Sequence, residues 1–442
     1  MAFSKGFFSA KYHRLGLVLL LSLFSVFVLP ILFFIDGGRG IDTSFYYDQA
    51  NAHLLQINYF IENPLTVFNY AVKNTAMTPG YHLFVAHVSK MLGLHTIHDD
   101  TWIIRLLNLL FGYGSLALVW KIVYQQCQNK WQTLCLVFPL SASYYFLSAA
   151  IWISTDNPAL FFYTLILYFF LQQKAPFYSI IGAMFCLVFI RHIYLPVIGV
   201  CFCHAWVAQS KQKALLFALL TALPVVILVG IYAYIWGGLT PPALQKHNAF
   251  VFLSPLLLLH FFALAGLLVL PYLPFFITEI KKWSSSDLAK NLLFALLVAG
   301  TLWLLSPSTY FDPNDGLGSA GRWGSMVWLI AKFTPFLSLG DKSLSVLLLA
   351  MIGAALLYAM VMRAMQQGYF PVEAAMLFFY VFGYACQVYA WQRYLEPVLL
   401  VTFAVFGGRL TKVSPYRLMI VITAYGFYAG ASLLNFCELA SL

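Results

Sequence analysis

Charge is what this sequence has least of. Only 9% of its 442 residues are Asp, Glu, Lys or Arg, with 15 acids against 25 basic residues. So few charges cannot cover a soluble chain of this length, which excludes an ordinary soluble domain. Runs of Lys and Arg interleaved with aromatics are also missing, and the charges fall singly between apolar stretches. The formal net charge of +10 is therefore a matter of membrane topology and not of nucleic-acid binding. Cysteine is sparse: Cys127, Cys135, Cys186, Cys201, Cys203, Cys386 and Cys437 lie in apolar runs or in loops that read as inside, so no disulfide framework is implied.

Ligand-binding signatures are short of parts. Asp36-Gly37-Gly38-Arg39-Gly40 lacks the Gly-Lys-Ser/Thr of a phosphate loop. Asp312-Pro313-Asn314-Asp315-Gly316 sets its glycine one place early for a calcium loop, and Trp323 stands where the bidentate Glu belongs. Cys201, Cys203 and His204 have no second ligand pair, and His95, His98, Asp99 and Asp100 have no distant partner. No metal site or cofactor is expected, and a divalent cation is not indicated.

Apolar sequence is abundant: 62% of residues are hydrophobic, and mean hydropathy is +0.82. A helix crosses the hydrocarbon with about 20 such residues. The runs predict about 13 spans: Leu15–Ile35, Ile103–Tyr124, Trp131–Ile153, Pro158–Leu171, Phe177–Ile190, Ile193–Ala208, Ala214–Trp236, Leu253–Ile277, Leu288–Leu305, Leu344–Met365, Val372–Tyr389, Leu395–Phe406 and Met419–Phe436. Leu15–Ile35 follows Lys5, Lys11 and Arg14 but has no small-residue cleavage site, so it reads as a retained span and not a signal peptide. Trp323–Leu339 is interrupted by Lys332 and Pro335 and reads as interfacial or re-entrant.

With the N-terminus inside, most Lys and Arg fall in the inner connections and most acids outside, as the positive-inside rule requires of the basic residues. Two outer segments are long, 36–101 and 306–342, so function is expected on the outer face of this single transmembrane domain. In the first, Gln49–Glu62 and Tyr81–Leu92 each carry a broad apolar face and read as helices on the membrane surface, separated by a break at Pro79-Gly80.

Asp42, Phe45, Gln49 and Ala50, just beyond the first span, match an Asp-Glu-x-Phe-His-x-x-Gln-Ala-Gln stretch. Thr43 replaces the Glu, Tyr46 the His and Asn51 the last Gln. Further motifs follow in order: Thr78-Pro79-Gly80-Tyr81, Ile104-Arg105-Leu106-Leu107-Asn108, Phe138-Pro139 with Thr155-Asp156, Phe189-Ile190-Arg191-His192, and Gln392-Arg393-Tyr394-Leu395-Glu396-Pro397. Together these resemble the GT-C membrane glycosyltransferases, and within them the dolichyl-phosphate-glucose α-1,2-glucosyltransferase family. The resemblance implies an all-α polytopic GT-C fold with a catalytic acid in the first external loop. It also implies a polyprenyl-phosphate-linked sugar donor, a glycan or lipid-linked acceptor, and a site on the non-cytosolic face. Compact size and short loops favour a bacterial inner membrane, with the endoplasmic reticulum as the alternative of the same sidedness.

Moving a sugar from a prenyl phosphate to a hydroxyl needs a base for the acceptor proton and cations for the departing phosphate. Asp42 is the candidate base, Asp48 and Asp156 the further carboxylates on that side; a positioned base is worth roughly 10²–10⁴ in rate. The structural alternative for Asp42 is capping of the following helix. Arg191, Lys246, Arg322 and Arg393, with His192 and His247 beside two of them, are the candidate phosphate ligands. Their alternative is snorkelling to the interface. Tyr46, Gln49, Tyr81, Tyr394 and Glu396 are candidate sugar or acceptor contacts. A transporter or lipid-carrier flippase is the competing class, and it predicts ionisable groups and broken helices near the bilayer midplane. A glycan polymerase or ligase shares the compartment and differs only in motifs.

Overall fold

The computed structural model describes residues 8–34, 44–64, 78–94, 102–151, 153–172, 177–207, 211–238, 253–273, 276, 283–306, 326–386, 392–410, 420–428 and 430. These are almost wholly helical. The chain folds into two compact units, one of Met1–His192, Leu220–Gln245 and Gly407–Leu442, the other of Ile193–Leu219 and Lys246–Phe406.

Among the described residues five helices are long and apolar enough to cross a membrane: Trp102–Cys127, Lys211–Trp236, Pro255–Tyr272, Ser285–Leu305 and Leu344–Gln366. A bent pair would make a sixth. Along Ser285–Leu305 the side chains of Leu292, Leu293, Leu296, Leu297 and Leu304 are all more than half exposed. A helix this apolar on its outer face is stable where the solvent is hydrocarbon, so the chain is an all-α integral membrane protein.

The first unit contains α1 (Phe8–Phe34), α2 (Ser44–Glu62), α3 (Gly80–Met91), α4 (Trp102–Cys127), α5 (Lys130–Ser141), α6 (Tyr144–Ile151), α7 (Asp156–Leu171) and α8 (Phe177–Ile190). Helix α4 is its axis and touches α1, α3, α5, α6 and α7. Phe24 of α1 packs edge-on against Tyr113 at 5.2 Å and beside Phe146 at 5.4 Å. The segment 36–101 contains helices α2 and α3, which pack on each other.

The expected span Trp131–Ile153 is not one rod: α5 and α6 bend by 68° across Ala142 and Ser143. Pro139 near the end of α5 has no N–H to donate and crowds the preceding turn. Ser143 then restarts the chain, its hydroxyl accepting from Phe146 N at 3.3 Å, as an N-cap does.

The second unit holds most of a 3₁₀ segment (His192–Ile198), α9 (Gly199–Val207) and the start of α10 (Lys211–Trp236), whose remainder belongs to the first unit. It continues with α11 (Pro255–Val269), α12 (Ser285–Leu305), α13 (Met326–Phe333), α14 (Leu344–Gln366), α15 (Val372–Ala385) and most of α16 (Gln392–Gly408). Helices α11 and α14 cross with their backbones touching. A Cβ on Gly266 would stand 1.9 Å from the Leu349 carbonyl oxygen, and one on Gly353 2.0 Å from that of Phe262. Small residues facing each other are how membrane helices reach such closeness.

Among the described residues of Trp323–Leu339 only α13 is helical, and its eight residues rise about 12 Å, too short to cross a core of about 30 Å. It leads into a hairpin of β1 (Ser338–Leu339) and β2 (Lys342–Ser343), paired Ser338 to Ser343 and Leu339 to Lys342. Lys342 Nζ donates to the carbonyls of Trp303 and Leu304 at the end of α12, and Ser343 accepts from Val346 N to cap α14.

Candidate active site

In the first unit, four of the motifs meet. Gly80 opens α3 against the end of α8, where a Cβ would lie 2.5 Å from the Phe189 carbonyl oxygen, so only glycine allows this approach. Thr78, two residues before it, donates to Val188 O at 3.4 Å. The next residue, Tyr81, is fully buried, and its phenol donates to Asn108 Oδ1 of α4 at 2.6 Å. Burial pushes that phenol above its ordinary range, the bond to Asn108 offsetting part of the effect, so it stays a donor. Asn108 in turn donates to the Ser154 carbonyl at 3.1 Å.

Ser154 leads to the ionic centre. Its hydroxyl donates to Asp156 Oδ2 at 2.5 Å and accepts from Asp156 N at 3.1 Å, fixing the carboxylate in the first turn of α7, where the helix dipole favours an anion. Arg191, where the chain leaves α8, pairs with Asp156 Oδ1 and also donates to Thr155 Oγ1 at 3.3 Å. The pair is largely enclosed, with side chains 8% and 18% exposed. His192 follows Arg191, its Nδ1 buried with no hydrogen-bond partner among the described residues.

A second polar contact ties α2 to α3. His53 Nδ1 and His82 Nε2 are 2.6 Å apart in a stacked, buried ring pair, so one nitrogen donates and the other accepts. Burial, then the neighbouring His53, holds His82 well below the ordinary histidine range, and the Thr78 backbone acts in the other direction as the smallest cause. One turn on from His53, Gln56 is buried with neither end of its amide partnered among the described residues.

In the second unit, the Gln-Arg-Tyr-Leu-Glu-Pro motif forms the first turns of α16. Gln392 donates to Glu396 Oε2 at 2.6 Å, and its carbonyl accepts from Met326 N at 2.7 Å, capping the short helix α13. Arg393 donates to the Tyr394 hydroxyl at 3.0 Å and lies over the same ring, 5.0 Å from its centroid. Tyr380 donates to the Tyr394 carbonyl at 2.8 Å and packs against Tyr194, ring centroids 4.6 Å apart.

The structure therefore brings Asp156, Arg191, His192 and Tyr81 into one neighbourhood, and Arg393, Tyr394 and Glu396 into another. Tyr46, Asp48 and Gln49 have their backbone in the first turns of α2, and their side chains lie outside the described structure. Asp42, Lys246, His247 and Arg322 lie outside the described residues. Reasoning from motifs missed Asn108, Ser154 and Gln392 as linking groups, and it missed the His53–His82 pair. His53 sits on an amphipathic face, and nothing in its sequence neighbourhood announces a partner 29 residues on. Among the described residues, no group of three or more His, Cys, Asp and Glu side chains is placed to hold a metal ion.

No protein-family model matches the chain, and no curated protein matches it. Among solved structures it is similar to ArnT from Cupriavidus metallidurans in the apo state, at 14% sequence identity over 89% of this chain and 77% of that one, with a TM-score of 0.34.

Proposed function

We propose that this protein is a GT-C-type membrane glycosyltransferase. In this reading it moves a hexose, glucose-like, from a polyprenyl-phosphate carrier to a glycan or lipid-linked acceptor on the non-cytosolic face, in a bacterial inner membrane by preference. The observation that supports it most is the single hydrogen-bonded chain running Tyr81, Asn108, Ser154, Asp156, Arg191. All of these residues but Ser154 come from motifs of the family resemblance, one from each of four, and motifs that mattered only for packing would have no reason to share one polar network.

In the proposed step the acceptor oxygen attacks the anomeric carbon, the bond from that carbon to the carrier phosphate breaks, and the acceptor proton passes to Asp42. A single displacement of this kind inverts the anomeric centre. Asp48 is the second candidate base. Asp156 has both oxygens engaged, by Arg191 and Ser154, so its role is to orient the arginine. Arg191 and Arg393 are the described candidates for the phosphate, with Lys246, His247 and Arg322 on the outer segments; one such contact to charge that grows in the transition state is worth about 2.7–4 kcal/mol. Tyr394 holds Arg393 in place, and Glu396 is tied to Gln392.

The test is transfer of label from a panel of radiolabelled prenyl-phosphate hexoses to total lipid extract by the purified protein. Wild type moves one of them, and Asp42→Asn reaches the membrane in equal amount but moves none. Turnover by Asp42→Asn removes that residue as base; no transfer by wild type with any donor removes the reading.

The bend between α5 and α6 favours a transporter, since carriers bind ions at broken helices. Here the break is satisfied within itself: Ser141 donates to Phe138 O and Ser143 caps α6, and no Asp, Glu, Lys, Arg or His lies between Lys130 and Asp156.

A further inference from the structure

The second unit contains an apolar cavity of about 470 Å³ between the ends of α11 and α16 and the facing sides of α12 and α14. That volume is within the range of about 300–1,000 Å³ for small-molecule sites. Its lining runs along α14 from Leu348 to Arg363, past Ile352, Leu356 and Ala359. At 1.5 Å per residue this is about 22 Å, enough to take one leaflet's share of the hydrocarbon, about 15 Å deep.

Two polar residues break the apolar lining, Arg363 and Asn291. Asn291 is only 4% exposed, and its Oδ1 has no hydrogen-bond partner among the described residues. An acceptor left bare in hydrocarbon is costly, so the position calls for a donor from whatever fills the cavity. Arg363, in the last turn of α14, puts a positive charge in the same lining and so favours an occupant that carries a negative one. Both stand toward the end of the unit that carries Lys290, which the positive-inside bias puts at the cytoplasmic leaflet.

We infer that this cavity binds one anionic phospholipid of the cytoplasmic leaflet, its acyl chain along α14, its phosphate on Arg363 and a headgroup or glycerol donor on Asn291. The apolar length asks for a chain, the arginine for negative charge and the asparagine for a hydrogen-bond donor. A prenyl phosphate supplies the first two and lacks the third. The site is independent of the transferase reading, which places its chemistry on the opposite face.

Native mass spectrometry of the full-length protein tests this, with phosphatidylglycerol, phosphatidylcholine of equal chain length and farnesyl phosphate offered together in mixed micelles. The expected result is one phosphatidylglycerol retained per chain, preferred over phosphatidylcholine by about tenfold, the effect of one charge-assisted contact. Arg363→Gln abolishes that preference, Asn291→Leu lowers phosphatidylglycerol retention, and Ala359→Trp, which fills the cavity, removes retention of both. Equal retention of the two phospholipids by wild type, an unchanged preference in Arg363→Gln, or displacement of phosphatidylglycerol by farnesyl phosphate overturns the proposal. If Ala359→Trp fails to fold, the two variants at the polar end decide the matter.

Discussion

Asp156 accepts from Arg191 on one oxygen and from Ser154 on the other, with little water left around the pair. Breaking an ion pair this enclosed strands a charge, which costs about 3–5 kcal/mol. Asp156→Asn and Arg191→Gln are each expected to lower stability by that order. The double variant should lose less than the sum, by about 0.5–3 kcal/mol. Unfolding curves of the four proteins in one detergent check it, and strict additivity would show that the two residues do not act together. Both residues are visible in the sequence as a carboxylate and a guanidinium at opposite ends of an apolar hairpin. Their pairing is not, because 35 residues separate them and neither motif announces the other.

At the scale of elements, α2 and α3 are joined by a buried histidine pair, and burial holds the His82 imidazole neutral. Unfolded His82 takes a proton as pH falls through about 6.5, while folded His82 resists it, so the folded state binds fewer protons below that point. The stability contributed by the contact is complete above pH 6.5 and drains away as pH falls toward the lower folded value. Hydrogen exchange in Gly80–Met91 is therefore expected to speed up between about pH 7.5 and pH 5.5 beyond its intrinsic change, and less so in His82→Leu. Equal protection in both proteins would remove the linkage. Helices α2 and α3 were legible from apolar faces separated by Pro79-Gly80, and α2 begins earlier than the apolar pattern suggests, at Ser44. The bend in α5 and α6 was hidden because apolar content continues through it; Pro139 and the Ser-Ala-Ser run were the signals available.

For the whole molecule, the uneven placement of Lys and Arg gives a sidedness that can be measured. In a background with the seven native cysteines replaced, a cysteine at Asp341 in the hairpin turn should react with an impermeant maleimide in right-side-out vesicles. One at Gln367, at the other end of α14, should react only after permeabilisation. The reverse pattern would move the proposed chemistry to the cytosol. Membrane class was plain from composition, whereas the division into two compact units was not, since apolar runs of similar make-up fill both. The seam between α11 and α14 also sets a mechanical rule for its unit. With Gly266 against the Leu349 carbonyl and Gly353 against that of Phe262, sliding one rod along the other would drive a neighbouring Cβ into backbone. The two helices therefore travel as one lever: if this unit moves during a working cycle, it swings about its ends instead of ratcheting along its length.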